Sequence, residues 1–246
     1  MRYFTYIINI LLFILSIFIP KKKNLIVFGG RTGRRYADNS RYLFLYLNKF
    51  YKNKFDCVWL TNEKKILDLI RKQGLKSYYI NSFKGYLISI IANWTIFDTS
   101  PLDVNFTLSK FSKNIHLWHG ILIKKLSAKK YNNIYFFKIN NILFSFISFF
   151  YPKYFCYPNT KFFHHMNNHY PVKMYKLLLS NQPRNIMLKD TTNKNELDIF
   201  RTKKENNLNN KIIKKNKRII GYFPTWRNDN ENEIFPDMEN LSQLKK

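Results

Sequence analysis

A chain of 246 residues is enough for one large domain or a domain and a half, and a hydrophobic share of 46% lets it bury a core. Lys and Arg number 42 against 15 Asp and Glu, a formal net charge of +27. This attracts nucleic acid, anionic lipid or a phosphate-rich substrate by long-range Coulomb forces and says little about fold. Two cysteines, Cys57 and Cys156, exclude a disulfide framework and a CxxC pair, and point to a reducing compartment.

Residues 3–20 form an apolar run broken only by Asn9 and softened by Thr5 and Ser16, with Arg2 before it and Lys21, Lys22 and Lys23 behind. A membrane span needs about 20 apolar residues, so the run is of borderline length for a single-span or monotopic anchor and also fits a core helix. It has no small-residue cleavage site, which argues against a removed signal peptide. The heavier basic cluster behind it would keep the following domain on the cytoplasmic face of the cell membrane.

Residues 24–28 (NLIVF) read as a β-branched strand entering Gly29 and Gly30. Asp38, Asn39 and Ser40 are helix-capping types, ahead of Leu43, Tyr46, Leu47 and Phe50 on one helical face. Residues 57–60 predict a strand and 63–73 a helix stopped by Gly74. Further strands are expected at 77–80, 95–98 and 115–118, with a helix over 83–92. The alternation predicts an α/β fold with a mostly parallel sheet and helices on both faces. Residues 135–155 are aromatic-rich and apolar, fitting a buried helix or a face lying on the membrane, and 175–180 read as a strand. Between 190 and 217 Lys, Asn, Thr and Glu take over, and 218–223 (RIIGYF) opens a new strand. The expected organisation is an anchor over 1–23, a sheet domain over 24–189, a polar linker over 190–217, and the start of a second, incomplete sheet domain over 218–246.

The segment 114–126 (NIHLWHGILIKKL) carries the strongest chemical signal. Ligands of open α/β sheets bind beyond the carboxyl ends of strands, where His119 is expected. Gly120 permits close backbone approach or a positive φ, and Lys124 and Lys125 add cations one turn on. An imidazole suits a general base for a hydroxyl nucleophile. An isolated histidine is more often buried and satisfied by backbone; the flanking Trp118, Gly120 and Lys124 favour the catalytic reading. In 221–229 (GYFPTWRND) a strand again ends in a turn, with Pro224 and Thr225 leading to Arg227, placed to meet a phosphate. The Gly29–Gly33 stretch matches neither common glycine-rich phosphate pattern and reads as a flexible turn. Arg34 and Arg35 read as a solvated face, or one meeting an anionic acceptor or lipid. His164 and His165 with His169 read as a polar helix face rather than a metal set, and Asp98 as a strand-end or capping residue. No cofactor is implied and no metal ligands are assigned.

Taken in order, these motifs resemble those of the CDP-glycerol:poly(glycerophosphate) glycerophosphotransferase family of teichoic-acid and capsule synthesis. That family shows Trp-His-Gly-Thr-Pro-x-Lys, then Gly-Tyr-Pro-Arg-Asn-Asp, then Ala-Pro-Thr-Trp-Arg. Here the first stands as Trp118, His119, Gly120, Ile121, Leu122, Ile123 and Lys124, with Ile121 and Leu122 in place of Thr-Pro. The second keeps Pro183, Arg184 and Asn185, and the third is Phe223, Pro224, Thr225, Trp226 and Arg227. The resemblance implies a GT-B arrangement of two Rossmann-like domains with the active site between them. It implies transfer of glycerol phosphate, or another polyol phosphate, from CDP-glycerol or CDP-ribitol to a polyol-phosphate or glycan acceptor on lipid, releasing CMP. His119 would be the base. Trp118, Gly120, Lys124, Arg184, Pro224, Thr225 and Arg227 would bind substrate, the three cations as phosphate clamps. A second functional histidine and donor-binding residues of the family are expected beyond residue 246.

Two other readings keep part of this picture: a GT-B glycosyltransferase using a nucleotide sugar, and an inactive truncated fragment. Charge alone suggests a nucleic-acid binder, but no nucleic-acid motif is present, so none is expected as a partner; an anionic membrane surface is. If residues 1–23 are inserted in lipid, membranes carrying the chain should retain it through a high-salt wash. Complete release by salt alone would rule the anchor out.

Overall fold

A computed structural model of the chain describes residues 12, 16, 18–105, 108–109, 111–120, 154–160, 176–188, 200 and 207. The chain divides into two compact units, Met1–Thr202 and Lys203–Lys246, and the sheet lies in the first. Its strands are β1 (Lys22–Phe28), β2 (Asp56–Thr61), β3 (Lys76–Tyr79), β4 (Ala92–Phe97), β5 (Lys113–His116), β6 (Tyr154–Tyr157) and β7 (Lys176–Leu179). They run in the order β3-β2-β1-β4-β5-β6-β7, every neighbouring pair parallel. Helices α1 (Asp38–Phe50), α2 (Lys64–Lys72) and α3 (Phe83–Ile91) make the crossovers from β1 to β2, β2 to β3 and β3 to β4.

Alternation along β1 divides the core. Ile26 and Phe28 pack on one face with Phe44 and Leu45 of α1, Ile70 of α2, and Trp59. Leu25 and Val27 pack on the other with Val58, Leu60 and Ile80, backed by the half-buried Ile88 and Ile91 of α3. A sheet covered on both faces accounts for the continuous apolar runs of its central strands. The order reverses between β1 and β4, and such a reversal opens a crevice beyond the carboxyl ends of those two strands.

The structure departs from expectation at several places. α1 buries Phe44 and Leu45 most deeply, with Leu43, Tyr46 and Leu47 of the expected stripe half-buried against the same core, while Phe50 is exposed. Phe44 goes deepest because it completes an edge-to-face aromatic cluster, 5.4 Å from Phe28 and 5.6 Å from Trp59 between ring centroids. Asp38, Asn39 and Ser40 occupy the first helical turn instead of capping it; the cap position is Ala37, which makes no side-chain cap. Tyr154 and Phe155 open β6 rather than closing a helix, since their backbones pair with Ile115 and His116 of β5.

The Gly29–Gly33 stretch is a tied turn rather than a flexible one. Thr32 N–H donates to Asp103 Oδ1 at 2.7 Å, and Gly33 O accepts from Asn62 N at 2.8 Å and Thr61 Oγ1 at 2.7 Å. Most of the expected anchor, the region 135–153, the linker residues 190–217 and the segment 218–246 lie outside the described residues, isolated positions apart. Among the described residues no helix is long and apolar enough to cross a membrane.

Gly29 sits where β1 passes the loop after β4, and a Cβ built there would lie 1.9 Å from the Asp103 carbonyl oxygen. Backbone on both sides leaves little room to yield. Gly29→Ala should therefore destabilise the fold by at least about 2 kcal/mol in urea denaturation. An unchanged midpoint would contradict this close approach.

Candidate functional site

The site is built on Asp98, the first residue after β4, which is 1% exposed. Its carboxylate accepts the Ser40 backbone N–H at 3.2 Å, which fastens the otherwise uncapped N-terminus of α1 to the rim of the sheet. Its backbone carbonyl faces two histidines, His116 Nε2 at 3.1 Å and His119 Nδ1 at 3.4 Å. Burial raises the Asp98 carboxyl to about 7, reinforced by the nearby Asp103 and Asp38 carboxylates and opposed by the bond from Ser40.

The two histidines have separate lives. His116, at the end of β5, is enclosed by Phe97, Trp118 and Phe155, with ring centroids at 5.1, 5.3 and 4.9 Å. Burial pushes its imidazole down to about 3, so it is neutral. A carbonyl can only accept, so Nε2 carries the proton. His119 lies three residues on, exposed, with its ring against Trp118 at 4.4 Å. Contact with the same carbonyl is made with Nδ1 protonated, and Nε2 has no hydrogen bond among the described residues. That tautomer leaves an accepting nitrogen for a substrate proton.

The turn that presents His119 takes its left-handed residue from Trp118, at φ 57°, and not from Gly120. Such a conformation costs a non-glycine residue about 1–3 kcal/mol. The Trp118 carbonyl is held there by Asn39 Nδ2 at 2.6 Å, and the indole is buried against Phe155. Gly120 provides space: among the described residues a Cβ there would meet only Arg184 Nη2, at 3.8 Å.

Arg184 follows Pro183 in a 3₁₀ segment, Pro183–Leu188, after β7. Its backbone N–H donates to Asn39 Oδ1 at 3.2 Å, and its half-exposed guanidinium pairs with Asp38 at 2.9 Å. The first turn of α1 thus joins the ends of β4 and β5 and the segment after β7. Beside Arg184 opens a basic cleft of about 430 Å³, lined also by Arg31, Arg35, Asp38, Tyr42 and Asn185. A second hollow of about 580 Å³ adjoins it along α1, shares Tyr42 and Asn185, and has no charged side chain among the described residues of its lining. At its edge Gln182, 8% exposed, buries an Nε2 that finds no partner. Leaving such a donor unpaired costs about 1–3 kcal/mol.

Of the residues singled out in the sequence, Trp118, His119, Gly120 and Arg184 come together at this rim. Lys124, Pro224, Thr225 and Arg227 lie outside the described residues, as do His164, His165 and His169. Asp98 is a strand-end residue whose carboxylate receives a helix N–H. Arg35, read as part of a solvated face or one meeting an anionic acceptor or lipid, lines the cleft; Arg31 and Asn39 were missed as site residues, the one available signal being that they lie between a strand end and a helix start. Among the described residues no group of three or more His, Cys, Asp or Glu could hold a metal ion.

The family model for CDP-glycerol:poly(glycerophosphate) glycerophosphotransferase matches residues 11–246. Solved structures of the wall teichoic acid polymerase TagF share the fold. A variant soaked with CDPG matches with TM-score 0.60 and 20% identity over 91% of this chain and 54% of that one. The structure of TagF itself matches with TM-score 0.51 and 20% identity over 72% of this chain and 42% of that one. The chain therefore spans about half the length of these structures. No curated protein matches.

The two shifted groups have opposite pH signatures. Below about 6.5 an unfolded chain protonates His116, while the folded chain refuses that proton until about 3, so stability is lost as pH falls through this window. Asp98 holds its proton to about 7 when folded but only to 3.8 when unfolded, so its contribution is lost as pH rises through that range. Comparison with His116→Gln isolates the histidine. Between pH 7.5 and 5 the native chain should lose about 2 kcal/mol more than the variant in urea denaturation. Equal losses would mean that His116 accepts a proton in place.

Proposed function

The chain belongs to the CDP-glycerol:poly(glycerophosphate) glycerophosphotransferase family, and from that membership we propose that it acts in transfer of glycerol phosphate from CDP-glycerol to a hydroxyl of a teichoic-acid or capsule polymer, releasing CMP. The observation that carries this reading is the His119 imidazole: exposed beyond β5, anchored through Nδ1, with Nε2 unengaged among the described residues and the guanidinium of Arg184 across Gly120.

The chemistry follows from what phosphoryl transfer demands. The acceptor oxygen attacks the phosphorus that bears glycerol, a new P–O bond forms, the pyrophosphate bond breaks, and CMP leaves with the bridging oxygen. Charge gathers on the non-bridging oxygens, so positioning and cations supply most of the catalysis. His119 Nε2 takes the acceptor proton, and Arg184 meets the phosphate with Arg31 and Arg35 of the same cleft beside it. Lys124 and Arg227 add further clamps, and Pro224 and Thr225 complete the substrate-binding set implied by the family motif. Ion pairing with Asp38 holds the Arg184 fork ready while leaving it half-exposed.

In this reading the sheet unit is the first of two Rossmann-like domains of a GT-B enzyme, the second starting near residue 218. CDP-ribitol is the other donor to assay. The acceptor polymer is carried on lipid at the cytoplasmic face of the cell membrane, with the Lys21, Lys22 and Lys23 cluster toward anionic headgroups. His119→Ala should lower CDP-glycerol-dependent CMP release by about a hundredfold or more. Near-normal release would remove His119 as the base, and equal turnover with a UDP-sugar would replace the donor assignment.

A further inference from the structure

We propose that the groove along α1, whose described lining is aromatic and amide, is an acceptor subsite, holding a neutral, hydroxyl-rich unit of the polymer while the adjoining basic cleft holds the phosphate next to it. The identity of the ligand rests on the transfer reaction proposed above; the groove itself rests on its own geometry.

The two hollows contrast in their linings. The cleft carries Arg31, Arg35 and Arg184, whereas the groove is walled by Tyr42, Tyr46, Pro183 and Phe200, with the amides of Gln182 and Asn185. They share Tyr42 and Asn185 and so lie side by side. A polyol-phosphate chain alternates a neutral polyol with an anionic phosphate, and the two hollows alternate in the same way. Aromatic rings accept the C–H face of a polyol or sugar, and amides bond its hydroxyls.

Gln182 supplies a second, independent sign of a ligand. Its Nε2 is buried in the groove lining and unpaired, although buried donors are rarely left so. Once the Gln182 amide turns toward the groove, a hydroxyl oxygen of the bound unit satisfies that donor without adding charge. The backbone that positions Gln182 also orients the clamp: its carbonyl accepts the Asn185 N–H at 2.9 Å across the turn containing Arg184. Occupying the groove therefore places the next phosphate of the chain against Arg184, near His119.

The test uses the full chain and a short poly(glycerol phosphate) oligomer, with binding read by calorimetry in the absence of donor and the Michaelis constant for CDP-glycerol read separately. Gln182→Leu and Tyr46→Ala, each confirmed folded by circular dichroism, should weaken oligomer binding by about tenfold or more. The Michaelis constant for CDP-glycerol should stay within about twofold of native. Unchanged oligomer affinity in both variants, or no affinity in the native chain, overturns the subsite. A rise confined to the CDP-glycerol constant also overturns it and makes the groove a site for the nucleobase. Loss of oligomer binding in the variants of a chain that transfers nothing from CDP-glycerol upholds the groove and sinks the reaction.

Discussion

One residue at the end of β4 joins the halves of this site. Asp98 uses its carboxyl to hold the start of α1 and its carbonyl to hold two imidazoles from the turn after β5. Because β1 and β4 are neighbours across the reversal in strand order, α1 and the β5 turn must meet at this point. A parallel sheet leaves no choice in the matter, since every strand delivers its carboxyl end to the same rim. Asn39 completes the junction by donating to Trp118 and accepting from Arg184. The histidine, the arginine and the strained tryptophan are therefore placed by a single turn of helix.

That junction is built from buried polar groups, and its cost is visible. Asp98 and Asp103 are both almost wholly buried, with carboxyls raised by desolvation. Asp103 is better supplied with donors, taking backbone N–H groups from Thr32, Thr99 and Ser100, and through Thr32 it fixes the turn after β1. Thr32 N–H is thereby committed to a carboxylate of the protein itself. The anion-binding capacity of this end of the sheet falls instead to the arginines of the cleft. A buried network of this kind specifies one arrangement of the rim more than it stabilises the fold.

The family motif acquires distinct physical roles when placed on this frame. Its tryptophan adopts the left-handed conformation and packs beneath the imidazole; its histidine is the exposed member; its glycine leaves room for Arg184. The arginine of the second motif reaches the same place from the far side of the sheet, after β7. The amides of Gln182 and Asn185 flank this arginine in the same segment, and Tyr42 and Tyr46 of α1 face it from the groove.

Much of this was legible in the amino-acid order. A short apolar run such as Leu25–Phe28, stopped by two glycines, reads as a strand buried on both faces, and Gly74, at φ 73°, ends its helix as expected. The spacing of Trp118, His119 and Gly120 marked a strand-end turn because that chemistry is local. Tertiary contact decided the rest. Two histidines three residues apart carry the same local signal, and only the packing of Phe97, Trp118 and Phe155 makes His116 the neutral core residue and leaves His119 in solvent. The roles of Asp98 and Asn39 were equally hidden, since their partners lie 58 and 79 residues away. Periodicity along a chain reports which side chains are apolar and at what interval; which of them meet across a sheet depends on strand order, and that is fixed by long-range pairing alone.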